Sequence, residues 1–166
     1  MQPATRNPAG SPWSKQSHHT IPVLLLPCLA MSASLTTDFA ESRATYEAAL
    51  SSLFSGKAQD TEAELTKLFS PTFTLKADSL SLDFPAFVAH IRRLREIPLV
   101  VTLNITQFLR DGSQLAERHS STTTLLDGSV RAAETFQFAE VAEDGRIAWI
   151  VESVHRFQQD KTLSGA

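Results

Sequence analysis

Three Asp-Gly pairs, Asp111-Gly112, Asp127-Gly128 and Asp144-Gly145, divide the second half of this 166-residue chain at intervals of 16 and 17 residues. Glycine reaches the positive φ angles of a tight reversal at no steric cost, and aspartate tolerates them. The pair is therefore among the strongest local signals for a β-hairpin. The runs between the pairs are rich in Val, Ile, Thr and Phe, so residues 98–157 read as a four-stranded antiparallel meander.

Within the meander, Val101, Leu103 and Ile105 alternate with polar residues, as in a strand with one buried face. The second strand, 115–126, is unusually polar: Glu117, Arg118 and His119 precede four hydroxyl residues, Ser120 to Thr123. The third carries Glu134, Phe136 and Phe138 on one parity. In the fourth, 146–157, Ile147, Trp149, Val151, Ser153 and His155 share one parity, and Ala148, Ile150, Glu152, Val154 and Arg156 the other. Register decides which parities share a face, because a slip of one residue reverses every side chain. A strict two-residue turn at Asp144-Gly145 sets Glu134 opposite His155. An extra residue absorbed as a bulge sets Glu134 opposite Val154 and Glu152 opposite Phe136. The unequal turn intervals favour the bulged register, with the irregularity expected at 139–143.

Upstream, Thr37 or Asp38 is a suitable N-cap for a helix reaching about Phe54, with Phe39, Tyr46, Leu50, Leu53 and Phe54 on one apolar face. Thr61-Glu62-Ala63-Glu64 has the form of a capping box opening a short second helix, which Pro71 stops. A strand is expected at 72–76. Asp83 then caps a third helix, with Pro85 in its first turn and Phe87, Val88, Ile91 and Leu94 buried. Helices followed by a long meander define an α+β domain with the helices on one face of the sheet.

The N-terminal stretch has a different character. Residues 1–20 lack hydrophobic periodicity and read as disordered, and 21–30 form a short apolar block broken by two prolines. Residues 1–33 are accordingly a disordered or leader segment, and 159–166 a flexible tail. The block resembles a secretory signal, while Met31-Ser32-Ala33-Ser34 resembles a natural start. A cytoplasmic location is expected, with secretion as the alternative if 21–33 is a signal. Cys28, the single cysteine, excludes an intramolecular disulfide and a multi-thiolate zinc site. No apolar run reaches the roughly 18–20 residues of a membrane-spanning helix, so no membrane partner is expected. Residues after Met31 hold 13 of the 15 basic residues and all 18 acidic ones, which argues against a nucleic-acid partner. Arg92, Arg93 and Arg95, the only basic cluster, read as a solvated helix face.

Phe136-Gln137-Phe138 followed by Glu143-Asp144-Gly145-Arg146-Ile147, set behind three helices, resembles the nuclear transport factor 2-like superfamily over about residues 34–158. The SnoaL-like, polyketide-cyclase-like branch is the nearest form. The resemblance implies a curved antiparallel sheet and three N-terminal helices closing into a cone, usually dimeric, around a hydrophobic pocket. It implies a small hydrophobic ligand and either cofactor-free isomerase, cyclase or dehydratase chemistry or a non-catalytic dimeric binding or scaffold role. Catalytic members often carry an acid on the last strand after a His-Trp pair. Here the stretch reads Ile150-Val151-Glu152, so Glu152 holds the acid's place and the His-Trp pair is absent. Arg118 corresponds to an arginine common on the second long strand.

The chemistry expected in such a cone is proton transfer, because an apolar cavity raises a carboxylate's pKa and makes it a better base near neutrality. Glu152 and Glu134 are the candidate bases. His119, with His155, is a candidate acid–base partner, and Tyr46 a donor to a developing oxyanion. Arg118, Phe136, Phe138, His90 and Trp149 are candidate substrate contacts. No three potential ligands occur at metal-binding spacing and there is no Gly-rich phosphate loop, so no metal or cofactor is expected.

Overall fold

The computed structural model describes residues 37–157. The expected leader at 1–33 and tail at 159–166 lie outside the described residues. Three helices, α1 (Arg43–Ser52), α2 (Thr61–Leu65) and α3 (Phe84–Glu96), pack on a six-stranded sheet. Its strands are β1 (Phe69–Ala77), β2 (Leu80–Asp83), β3 (Val100–Asp111), β4 (Gln114–Thr124), β5 (Val130–Val141) and β6 (Ile147–Phe157), in the order β2-β1-β6-β5-β4-β3. The α+β class and the four-stranded meander are as expected. The sheet is nonetheless mixed, because β1 runs parallel to β6 and brings the N-terminal half against the last strand.

Local chemistry explains most helix boundaries. Asp83 accepts the Ala86 amide at 3.0 Å and Pro85 follows within the first turn, so α3 begins where the residues predict. For α1 the expected cap at Thr37 or Asp38 is displaced to Ser42, which has an extended backbone and whose hydroxyl accepts the Thr45 N–H at 3.3 Å. Phe39–Glu41 form a separate 3-10 turn ahead of it. The capping box does not form either. Asp60 occupies the cap position without a side-chain bond, and the Thr61 hydroxyl donates to Ala58 O at 2.8 Å. Pro71 lies inside β1 rather than at a helix end, where its missing N–H coincides with a register shift against β6. The hairpin partner β2 was not anticipated; its turn is signalled only by Asp78 at φ 49.

The three Asp-Gly pairs make two kinds of turn. Asp111 pairs with Gln114, so the first reversal is a two-residue turn of Gly112 and Ser113. At the last, Ala142 N donates to Arg146 O at 2.7 Å and Gly145 N to Ala142 O at 2.9 Å, enclosing Glu143, Asp144 and Gly145. That three-residue loop offsets the register by one. Ala148 then bulges out of β6 and restores it, since Glu140 pairs with Trp149 but Val141 with Ile147. Glu134 therefore faces His155, and Glu152 faces Gln137. The expected bulged register is corrected: the irregularity is real, but a turn and a bulge in β6 cancel.

The core lies between the helices and the concave face of the sheet. Phe69, Phe73 and Phe87 pack with ring centroids 4.6–5.1 Å apart, joining β1 to α3. Tyr46 is fully buried between Phe39 and Phe108. Arg95 departs from its expected place on a solvated face. Its side chain is 0% exposed, bonded to Leu53 O at 3.0 Å, Ser52 O at 2.9 Å and the Glu64 carboxylate at 2.7 Å. The guanidinium closes the carbonyl end of α1, where positive charge is favoured.

Candidate functional site

Period-two alternation on β4 sends Leu115, Glu117, His119, Ser121 and Thr123 toward the helices, and Arg118 to the outside. A polar strand thus places its polar residues where an apolar one would place its core. Glu117 has no exposed side-chain surface, and its Oε1 lies 2.8 Å from His119 Nδ1. Its Oε2 has no hydrogen-bond partner among the described residues. A carboxylate on Nδ1 fixes the imidazole's orientation, and with a neutral ring it favours the tautomer that leaves Nε2 free to accept a proton.

His119 lines a partly enclosed cavity of about 220 Å³ between the concave face, α1 and α3. Leu50, Leu53, Phe54, Phe87 and Leu94 supply apolar walls, and no Lys or Arg among the described residues lines it. This is smaller than the about 300–1,000 Å³ of pockets for drug-sized molecules, so it fits a compact occupant. Among the described residues, no three His, Cys, Asp or Glu side chains converge as a metal site would require.

Two strands away, Glu152 lines the same cavity. Burial is the main cause holding its carboxyl above the usual value; His119 opposes the shift, and Glu117 and Asp78 add to it. Gln137, the cross-strand neighbour of both Glu117 and Glu152, donates its amide to the Tyr46 hydroxyl. Burial, with Glu117 next, pushes the Tyr46 phenol far up, so it stays protonated. His90 lines the cavity from α3, its imidazole held below its ordinary value by burial and then by Arg93.

The sequence-derived candidates therefore divide between two faces. Glu152, His119 and His90 line the cavity, with Tyr46 behind Gln137. The other six stand on the outer face or its pairs. Glu134 accepts from Arg118 Nε at 2.8 Å, Arg118 lies over the Phe136 ring at 5.4 Å, and His155 meets that ring edge-on. Trp149 donates its indole N–H to Glu140 at 2.8 Å, and Phe138 is 61% exposed. The parity of β5 separates Glu134, Phe136 and Phe138 from Thr135 and Gln137, which line the cavity. Glu117 and Gln137 were the residues missed. The available signal was that Glu117 shares the parity of Leu115 and His119.

These features define an α+β cone with an apolar interior bearing a His–carboxylate pair and a second carboxylate. The fold is that of the SnoaL-like and nuclear transport factor 2-like proteins. A SnoaL-like family protein from Agrobacterium tumefaciens str. C58 superposes with a TM-score of 0.54 at 14% identity, over 68% of this chain and 96% of that one. PrhC from Penicillium brasilianum NBRC 6234 gives 0.53 at 14%, over 66% and 75%. An M. tuberculosis LEH-like epoxide hydrolase gives 0.50 at 11%, over 72% and 84%. No family model and no curated protein sequence matches the chain.

Proposed function

We propose that the protein binds a compact hydrophobic molecule in the cone and moves a proton on it without a cofactor, as an isomerase, cyclase or dehydratase does. The observation that carries this reading is the buried Glu117–His119 pair at the wall of an apolar cavity. A general base must be both oriented and matched in basicity to its task. His119 is oriented by Glu117, so it takes the role of base. The side chain of Glu152, the base expected on grounds of position, has no hydrogen-bond partner among the described residues to orient it. It is assigned instead to the polar end of the ligand.

The test is deuterium incorporation from D2O into small cyclic ketones, followed by NMR, with bound and unbound ketones identified first by calorimetry. Wild-type protein should exchange protons of a bound ketone, and His119→Gln should slow that exchange about 100-fold, within the range for one acid–base group. Affinity should be unchanged. Binding without exchange for every ketone rejects proton transfer and leaves a binding protein.

A homodimer is part of the same proposal. Leu109, Phe136, Phe138 and Val151 are large apolar residues exposed on the outer face of the sheet. Contiguous exposed apolar surface of this kind is characteristic of an interface.

A further inference from the structure

We infer that the cavity takes a compact apolar molecule carrying a protonated amine, anchored on the Glu152 carboxylate, an assignment that rests on the proposal that this cavity is the ligand site. The first support is pairing. Glu117 meets His119, Glu134 meets Arg118, Glu140 meets Trp149 and Asp78 meets Arg156. Among the described residues Glu152 has neither an ion pair nor a side-chain hydrogen bond, although it is the acid that lines the cavity.

The second support is the sign of the field. The charged or titratable groups near Glu152 are His119 and Glu117 from β4, Asp78 from the turn after β1, Arg156 further along β6, and the neutral Tyr46 phenol from α1. Arg156 is 75% exposed and 3.7 Å from Asp78, so these two offset each other at the rim. With Glu152 ionised, Glu152, Glu117 and His119 sum to a negative charge whether His119 is neutral or protonated. His90, held neutral by burial, does not change that sign. A cation therefore gains from this field and an anion is repelled, more strongly than in water because the walls are apolar.

The third support is the donor count. An ammonium group has three N–H donors, and three of the residues lining the cavity, Glu152, Ser121 and Thr135, carry side-chain acceptor oxygens. A hydrogen bond between two charged partners is about twice as strong as a neutral one, so an amine is favoured over an alcohol of the same shape.

Isothermal titration of the full-length chain at pH 7.5 with cyclohexylammonium, cyclohexanol and cyclohexanecarboxylate tests this. Cyclohexylammonium should bind at least about 10-fold more tightly than cyclohexanol, and the carboxylate should bind weakest, consistent with a charge-assisted contact. Glu152→Gln should erase the preference for the amine while retaining cyclohexanol, and Glu152→Asp should keep part of it. Cyclohexanol binding as tightly as the amine overturns the amine assignment and leaves the cavity as a ligand site. If none of the three binds, the cavity reading falls and the amine assignment with it.

Discussion

Glu117 holds His119 from within its own strand, bringing Oε1 to 2.8 Å of Nδ1 on the concave face of the sheet. The carboxylate is fully buried and has one oxygen without a partner among the described residues, an arrangement that contributes little to stability. Glu117→Gln should therefore leave the melting temperature within about 2 °C, since the amide removes a buried charge. Proton exchange on a bound ketone should fall by about 100-fold with affinity unchanged. Equal losses in binding and exchange would instead mark Glu117 as a structural residue.

Glu152 should report its burial through pH. Its carboxyl is held above the usual value, so the folded state keeps a proton the unfolded chain has already released. The resulting stability is fully present below the unfolded value near 4.5 and is lost as pH rises through the folded value. Ionised Glu152 thus destabilises the free protein at neutral pH. Glu152→Gln should melt higher than wild type at pH 7.5, and the difference should vanish at about pH 4. Thermal melts across that range check the sign.

Gly145 and Gly112 both have positive φ, at 81° and 56°, yet their surroundings differ. A Cβ at Gly145 would lie 1.7 Å from the Thr37 carbonyl oxygen, whereas one at Gly112 meets nothing within 4 Å. Gly112→Ala should cost only the left-handed backbone penalty of about 1–2 kcal/mol. Gly145→Ala must also displace the Thr37 strap, whose N–H bonds Asp144 O at 2.9 Å. Urea denaturation should rank Gly145→Ala as the less stable of the two.

Arg95 should be among the most sensitive positions outside the cavity. Arg95→Ala leaves the Leu53 and Ser52 carbonyls without their donor, while the 41% exposed Glu64 carboxylate turns to solvent, a loss of about 1–3 kcal/mol. Arg95→Lys should recover little, because one ammonium cannot reproduce the planar fork that spans three partners. Chemical denaturation of both variants measures this.

Phe138→Glu tests the proposed dimer face. Phe138 is exposed on the side of β5 away from the cavity, so the charge should convert a dimer to a monomer in analytical ultracentrifugation without altering ligand affinity. Sedimentation of the wild type as a monomer at micromolar concentration would reject the homodimer.

The residues on their own determined the meander, the α+β class and the start of α3. Each depends on local chemistry: positive φ at glycine, side-chain alternation every two residues, a carboxylate capping a helix within three positions. They also determined that Glu117 and His119 share a face, since parity within one strand is local. Only the tertiary structure decided the register of β6 on β5, because it is the net result of a three-residue turn and a bulge at Ala148 that cancel. That result put Trp149 on the outer face and Glu152 opposite Gln137, while the pairing of β5 on β4 put Glu134 on the outer face. Tertiary packing also joined Gln137 to Tyr46 across 91 positions and buried Arg95 against α1. Such contacts rest on burial and long-range pairing, which no local dihedral preference encodes.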